Sequence, residues 1–272
     1  MPVNVADGRM PPARVLAPRR WRYAATMIRR PGTSAPALAC HGVARAISKL
    51  GLASRTRAAQ WVRAGRVSVN GKLVRDPDFP VLQGVDQLLI DDVAAEPVAR
   101  VVLMLNKPRG LVTTRQDERG RMTVYSCLND PTLPWLAPLG RLDKASEGLL
   151  LFTNDPAWAA LITDPATGPD KTYHVQIDCL PDAALLARFE RGVLVDGERL
   201  NFKSVRTLRA GAKHAWLEVV LDEGRNRQIR RVLETCKVSP LRLVRVAIGP
   251  LALGKLPKGE WRKLSDREIA AL

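Results

Sequence analysis

Five apolar segments of strand length recur after residue 100, and helical patterns separate some of them but not others. The strand-like segments lie near residues 101–106, 149–152, 173–177, 215–221 and 243–248. The helical patterns lie near residues 157–162, 181–190 and 226–236. A doubly wound sheet needs a regular alternation of strand and helix, which these segments lack. Their order therefore predicts an α+β fold around a mainly antiparallel mixed sheet.

A smaller unit precedes this region. An apolar face over residues 43–50 predicts a first helix that ends at Gly51. Ser54 is a suitable N-cap for a second helix, which runs to about residue 65. Apolar and polar residues then alternate around Asn70-Gly71, the favoured dipeptide of a two-residue hairpin turn. The sequence thus predicts two short helices followed by a hairpin.

Cations are concentrated in this small unit. They are Lys49, Arg55, Arg57, Arg63 and Arg66. Arg55 and Arg57 lie in the first turn of the second helix, where positive charge opposes the helix dipole. A bound phosphate would relieve that conflict, whereas a solvated basic surface is the simpler interpretation.

The net charge of the chain restricts the kinds of partner that it can have. Lys and Arg total 43 against 27 Asp and Glu, which gives a formal charge of +16. Such an excess favours a polyanion, either nucleic acid or an acidic membrane surface. The apolar runs fall short of the ~18–20 residues that span a bilayer, and the N-terminus lacks the pattern of a signal peptide. Nucleic acid and a cytoplasmic location are therefore favoured, without a membrane partner.

The first 40 residues differ from the rest of the chain. They are rich in Pro, Ala and Arg and contain a single acid, Asp7, which predicts a disordered basic tail. An organelle transit peptide, a start at Met27 and a helix formed on RNA are the alternatives. We expect the chain to divide further into the small unit at 41–91, a linker at 92–100 and a larger domain at 101–272.

Cysteine and histidine do not form a recognisable metal-binding pattern. Cys40, Cys127, Cys179 and Cys236 are scattered, and the three histidines do not complete a ligand spacing. We therefore expect no metal site and no disulfide framework, which suits a reducing compartment.

Three polar patches lie beside the apolar segments. "GRLDKASEGLLLFTND" places Arg141 and Asp143 before an apolar strand, "DKTYHVQI" places Lys171 and Tyr173 at the head of another, and "LDEGRNRQIRRVLE" leads from a strand into a basic helix. Taken alone, Asp143 could be a surface ion-pair partner, a metal ligand, a general base or a nucleophile. A pair with Glu147 or Asp155 would suit glycoside hydrolysis, but a chain of this charge is an unusual glycosidase.

The small unit and the three patches resemble two known families. "SKLGLASRTRAAQWVRAGRVSVNGKLV" resembles the S-four-type, or alpha-L, RNA-binding domain, which implies docking on structured RNA through shape and phosphate contacts. The three patches, in this order and behind such a domain, resemble the pseudouridine synthases that act on ribosomal RNA. This resemblance runs from about Val43 to the C-terminus and includes "RLVRVAIGPLALGKLPKGEWRKLSDREI".

The resemblance implies roles for individual residues. Asp143 stands where the family has the Asp that attacks the nucleoside, Tyr173 where a Tyr packs on the target base, and Arg230 where a cation pairs with the Asp. Ile229 is the implied apolar neighbour, and Arg141 matches a residue linked to flipping the nucleotide. Other expected RNA contacts are Lys107, Arg227, Arg55, Arg57, Arg63 and Arg66.

The implied reaction isomerises uridine to pseudouridine without gain or loss of atoms, so no cofactor or metal is expected. The carboxylate can attack the anomeric carbon, add to the uracil ring or deprotonate the 2′ position, and these three routes remain open. The target base must leave its stack to be reached. Ribosomal RNA is the expected partner, with large-subunit 23S RNA favoured over small-subunit 16S RNA, and the protein is expected to be a monomer. The alternative is a non-catalytic RNA-binding ribosome assembly factor of the same fold.

Overall fold

The computed structural model describes residues 40–115 and 117–272. The basic tail predicted for residues 1–40 therefore lies outside the described residues, except for Cys40, the first residue of a short strand.

The small N-terminal unit contains two helices and six short strands. In chain order they are β1 (Cys40–Gly42), α1 (Val43–Lys49), α2 (Arg55–Arg63), β2 (Val67–Val69), β3 (Lys72–Val74), β4 (Pro80–Leu82), β5 (Leu88–Ile90) and β6 (Val93–Ala94). Strands β3, β2, β5 and β6 form an antiparallel sheet in that order, and β1 pairs with β4. Ile47 and Val62 of the helices and Val67 of the sheet are fully buried in one core.

The predicted helices and hairpin of this unit are confirmed. The Ser54 side chain accepts a hydrogen bond from the backbone N–H of Arg57 at 3.1 Å, which is the expected N-cap contact. Strand β6 lies inside the segment expected as a linker, and the N–H of Val98 donates to the carbonyl of Leu50 at 2.9 Å. The segment between the two units thus makes regular backbone contacts with the small unit.

The larger unit contains a nine-stranded sheet with helices packed against it. Its elements are β7 (Val102–Lys107), a 3-10 helix (Val124–Cys127), β8 (Ala137–Pro138), β9 (Glu147–Thr153), α3 (Pro156–Thr163), β10 (Lys171–Ile177), α4 (Ala183–Arg191), β11 (Val193–Val195), β12 (Glu198–Leu200), β13 (Ser204–Ala210), β14 (Ala215–Leu221), α5 (Gln228–Thr235), β15 (Pro240–Ile248), β16 (Leu251–Ala252), β17 (Trp261–Lys263) and α6 (Asp266–Ala271).

The strands of this sheet follow the order β13, β14, β10, β15, β9, β7 and β17, with β16 beside β15 and β8 beside β9. Strands β9 and β15 run parallel, and the other pairs between described strands of the sheet are antiparallel. Strands β11 and β12 form a separate hairpin. The predicted α+β class around a mainly antiparallel mixed sheet is therefore confirmed.

Strand β9 is buried on both of its faces, which explains its continuous apolar sequence. Leu149 and Leu151 lie in one core with Trp158 of α3, whereas Leu150 and Phe152 lie in the core on the opposite face. Alternate side chains of a strand point to opposite faces of the sheet, so a strand covered on both sides needs apolar residues at every position. This strand anchors the loop that contains Asp143.

Gly148 allows the close approach of β9 to β15. Its φ is +101°, and a Cβ at this position would lie 2.2 Å from the carbonyl oxygen of Arg245. A residue with a side chain would therefore meet both backbone strain and a clash. The parallel pairing places the Asp143 loop beside β15 and its neighbour β10.

Candidate active site

A cavity of about 730 Å³ opens where the loop before β9 meets the first residues of β10, the N-terminus of α5 and strand β15. Asp143, Tyr173, Ile229 and Arg230, which lie far apart in the sequence, all line this cavity. The three polar patches singled out in the sequence thus meet at one site.

The loop that contains Asp143 is held in place from beneath by Lys107. This lysine, the last residue of β7, is fully buried. Its Nζ donates to the carbonyl oxygens of Ser146 at 2.8 Å, Pro108 at 3.1 Å and Asp143 at 3.2 Å. The backbone of Asp143 is therefore fixed, while its side chain remains 36% exposed on the cavity side.

Contrary to expectation, the buried position of Lys107 does not allow it to contact RNA. A fully buried ammonium with three carbonyl acceptors has no face left for a phosphate. Burial lowers the pKa of Lys107 to about 8, and the charges of Asp143 and Glu147 oppose that shift. Lys107 therefore holds the loop that contains Asp143 in place.

Arg230 lies next to the carboxylate of Asp143. The distance from its Nε to Asp143 Oδ2 is 3.6 Å, and the side chain of Arg230 is only 11% exposed. Its Nη2 donates to the Ser146 hydroxyl at 3.3 Å and to the Ala145 carbonyl at 3.4 Å. Burial lowers the pKa of Arg230, and the charge of Asp143 opposes this. The buried Nε has no acceptor within hydrogen-bond distance among the described residues, so a small movement toward Asp143 would give it one.

Arg227 brings a second guanidinium to the same carboxylate. It precedes α5 with a left-handed backbone, φ 50° and ψ 30°, which a non-glycine residue seldom adopts. Its Nη1 lies 3.9 Å from Asp143 Oδ2, and its side chain is 46% exposed. The turn before α5 thus directs Arg227 toward the mouth of the cavity.

The other predicted site residues are placed as follows. Tyr173 is half-buried on β10 and packs against two of the cores. Ile229 is almost fully buried at the start of α5, and its exposed fraction of 3% leaves a small apolar surface at the cavity wall. Arg141 is exposed and lies between this cavity and a second one of about 380 Å³ that also contains Asp143.

Sequence reasoning did not find the ion-pair network that supports the start of α5. Glu198, in β12, pairs with Arg225 and with Arg231, and Arg225 also pairs with Glu223 at 2.8 Å. The two contacts of Glu198 join residues 27 and 33 positions apart, so no local pattern indicates them. They connect the separate β11–β12 hairpin to the turn that contains Arg227.

Glu147 does not act as a second carboxylate beside Asp143. It is buried and pairs with Arg242 at 3.1 Å and with Lys258. Although burial by itself raises the pKa of Glu147, these two cations hold it below the ordinary value. The glycosidase-like pairing of Asp143 with Glu147 thus has no support in the geometry.

Arg245 also lines the cavity, although the sequence did not identify it as a site residue. It is 5% exposed and occupies an inward position of β15, where the flanking inward residue Leu243 is apolar. A charged residue at an inward position of an alternating strand is the signal that could have identified it.

The small unit presents a separate basic surface. Arg55, Arg57 and Arg63 are exposed on α2, as the sequence predicted. Arg66 is partly exposed and pairs with Asp91, its Nε donating to Oδ1 at 2.8 Å. The guanidinium groups of Arg57 and Arg66 lie 6.0 Å and 5.4 Å from the centre of the Trp61 ring. Arg66 is thus already neutralised, whereas the other three cations are available to a polyanion.

The described part of the chain has neither a metal-binding cluster nor a membrane-spanning helix. It contains no cluster of three or more His, Cys, Asp or Glu side chains that could hold a metal ion. It also contains no helix long and apolar enough to cross a membrane.

The two units match two known families. Residues 43–86 match the S4 domain, and residues 101–235 match the family described as RNA pseudouridylate synthase. Fold and site together thus define an RNA-modifying enzyme with an appended RNA-binding domain.

Individual relatives make the assignment more specific. An RNA pseudouridine synthase of Aquifex aeolicus is 34% identical over 83% of this chain and 91% of the relative. Ribosomal large subunit pseudouridine synthase B of Bacillus subtilis is 33% identical over 84% of this chain and 93% of the relative. A crystal structure of a pseudouridylate synthase, 28% identical, superposes with a TM-score of 0.60 over 85% of this chain and 99% of that one. The chain belongs to the family of RNA pseudouridine synthases.

Proposed function

We propose that this enzyme isomerises one uridine, or very few, in ribosomal RNA, and that Asp143 is the residue that attacks the target nucleoside. The observation that carries this proposal is the approach of Arg230 and Arg227 to the carboxylate of Asp143, at 3.6 Å and 3.9 Å, in a cavity that also contains Tyr173. The two guanidinium groups are counter-charges for a carboxylate, and the 36% exposed side chain of Asp143 leaves room for a nucleotide.

The remaining cavity residues support base recognition. The ring of Tyr173 offers a stacking face for uracil, and its hydroxyl can exchange protons. Ile229 supplies an apolar wall, and Arg141 at the rim is placed to hold a flipped nucleotide. Extrusion of the base costs a few kcal/mol, which phosphate contacts made elsewhere can offset.

Large-subunit ribosomal RNA is the substrate that we propose first. The Bacillus subtilis relative and others of similar identity are named ribosomal large subunit pseudouridine synthase B. Small-subunit RNA is the second choice. We propose that the exposed cations of α2 bind the ribosomal RNA outside the cavity. We also propose that the chain divides into a small unit at 41–91, a linker at 92–100 and a larger domain at 101–272. The protein is proposed to be cytoplasmic and monomeric.

Replacement of the carboxylate tests the role of Asp143. We expect Asp143→Asn to abolish isomerisation, because an amide is neither a nucleophile nor a base here, and to leave the Kd for RNA within about threefold. Single-turnover conversion and filter binding on one ribosomal RNA fragment measure the two quantities. Asp92→Asn is the matched control, since Asp92 is exposed and has a positive φ that Asn tolerates. Turnover retained by Asp143→Asn would overturn the assignment.

The target can be identified by mapping pseudouridine in ribosomal RNA from cells with and without the gene. We expect one position, or very few, to lose the modification, in the large subunit before the small one. Re-expression of the wild-type protein should restore it, whereas the Asp143→Asn variant should not. An unchanged map would contradict ribosomal RNA as the substrate.

A further inference from the structure

Two further cations line the cavity. Lys171 is the first residue of β10, and Arg245 lies in β15; both line the same cavity as Asp143. Lys171 is half-buried, and no carboxylate of the described residues lies within 4.0 Å of its ammonium group. The adjacent Asp170 pairs with Lys203 at 2.8 Å. Asp222 and Asp170 act on Lys171 only at longer range.

Arg245 is also incompletely paired. Its Nε donates to the carbonyl of Leu149 at 2.7 Å, but its buried Nη2 has no hydrogen-bond partner among the described residues. A guanidinium that is 5% exposed and pairs with no carboxylate of the described residues keeps a positive charge that these residues do not compensate. Two cations that line the cavity thus have no ion-pair partner among residues 40–115 and 117–272.

The sheet places both cations next to Tyr173. Arg245 is the cross-strand neighbour of Tyr173 in the pairing of β10 with β15. Lys171 precedes Tyr173 by two residues, and the regular pairing of β10 with β14 puts both on one face of the sheet. A base stacked on Tyr173 would therefore lie beside these charges.

The chemistry moves negative charge from the carboxylate to the base, whichever route is followed. If Asp143 bonds to C1′, the C1′–N1 electron pair leaves on uracil. If Asp143 takes the 2′ proton, that C–H pair forms a C1′=C2′ bond and the N1 pair again leaves on uracil. If Asp143 bonds to C6 of the ring, the electrons of the C5=C6 bond move onto the ring as an enolate. In each case the carboxylate becomes neutral and the uracil ring acquires one negative charge.

We propose, building on the function proposed above, that Lys171 stabilises the negative charge that develops on the uracil ring, with the buried charge of Arg245 as its support. Fixed cations that face developing charge in a partly dry site are among the largest contributions to catalysis. Burial lowers the pKa of Lys171, and the charge of Arg245 lowers it further. A negatively charged base beside Lys171 would relieve both penalties, which a neutral uridine does not.

The test compares Lys171→Met and Lys171→Arg with Lys213→Met, which removes the same charge from the exposed β13–β14 turn at the other end of the sheet. Single-turnover rates at saturating RNA are measured with uridine and with 5-fluorouridine at the target position, together with the Kd. Fluorine withdraws electrons and stabilises a negatively charged ring. We expect Lys171→Met to react about 100-fold more slowly with uridine, with the Kd within about threefold. The factor by which Lys171→Met slows the consumption of 5-fluorouridine should be at least about tenfold smaller than the factor for uridine. Lys171→Arg should recover much of the wild-type rate with uridine.

Three outcomes would overturn the proposal. A raised Kd with an unchanged rate at saturation would make Lys171 a phosphate contact. Equal defects with uridine and 5-fluorouridine would indicate a positioning effect without charge stabilisation. Rates of Lys171→Met equal to those of Lys213→Met would exclude any role of Lys171 in the chemistry. A wild-type enzyme that isomerises no ribosomal uridine would instead refute the proposed function itself, and this inference with it.

Discussion

At the scale of single residues, Lys107 links loop order to the pH dependence of stability. Its pKa is about 8 in the folded protein, because of burial, against an ordinary value of 10.5. Between these values the unfolded chain binds more protons than the folded protein, so this residue makes the free energy of unfolding rise with pH by on the order of 3 kcal/mol. We expect Lys107→Met to lose that rise. Urea unfolding between pH 7 and 10.5 measures the difference between the two proteins as a function of pH.

The control for this prediction is Lys213→Met, which removes an exposed lysine and should follow the wild-type curve. Parallel curves for Lys107→Met and the wild type would contradict the prediction. Pro108 and Gly110, which follow Lys107, are residues typical of a turn, and turns are usually exposed. Its burial depends on the loop at 143–146, more than 30 residues away, so no local pattern reveals it.

At the scale of elements, the pairing of β9 with β15 depends on Gly148. We expect Gly148→Ala to lower the free energy of unfolding by about 3 kcal/mol. The added Cβ would strain a backbone with positive φ and would also clash with the backbone of Arg245. Gly71→Ala is the matched control, since Gly71 also has a positive φ but faces open space, and it should cost only about 1 kcal/mol. Chemical unfolding of both variants measures the difference. Equal losses would show that strain alone acts at Gly148.

The same elements show what the sequence could predict. Segments with their own periodicity or caps, such as α2 behind Ser54 and the apolar strand β9, were located correctly. The three-residue strands β11, β12 and β17 were not, because their order comes from pairing rather than from composition. The meeting of Asp143, Tyr173 and Arg230 followed from family resemblance. The sequence already placed Lys171 beside Tyr173, but the position of Arg245 opposite Tyr173 required the register of β10 with β15.

At the scale of the whole molecule, the formal charge of +16 has two separable effects on RNA binding. One is a diffuse attraction that any cation strengthens, and the other is a set of phosphate contacts made by a particular surface. The exposed cations of α2 belong to the second kind if the small unit docks on RNA as proposed. A comparison at equal net charge separates the two.

We expect replacement of Arg55, Arg57 and Arg63 by alanine to weaken RNA binding and to reduce the slope of log Kd against log salt by about 2, because three phosphate contacts are lost. The single-turnover rate at saturating RNA should stay unchanged, since these residues lie outside the cavity lining. The control replaces the exposed Arg188, Arg191 and Lys213 by alanine, so that both proteins fall from +16 to +13. Filter binding from low to moderate salt gives both slopes. If the two triple variants shift the slope equally, overall charge and not the surface of α2 holds the RNA.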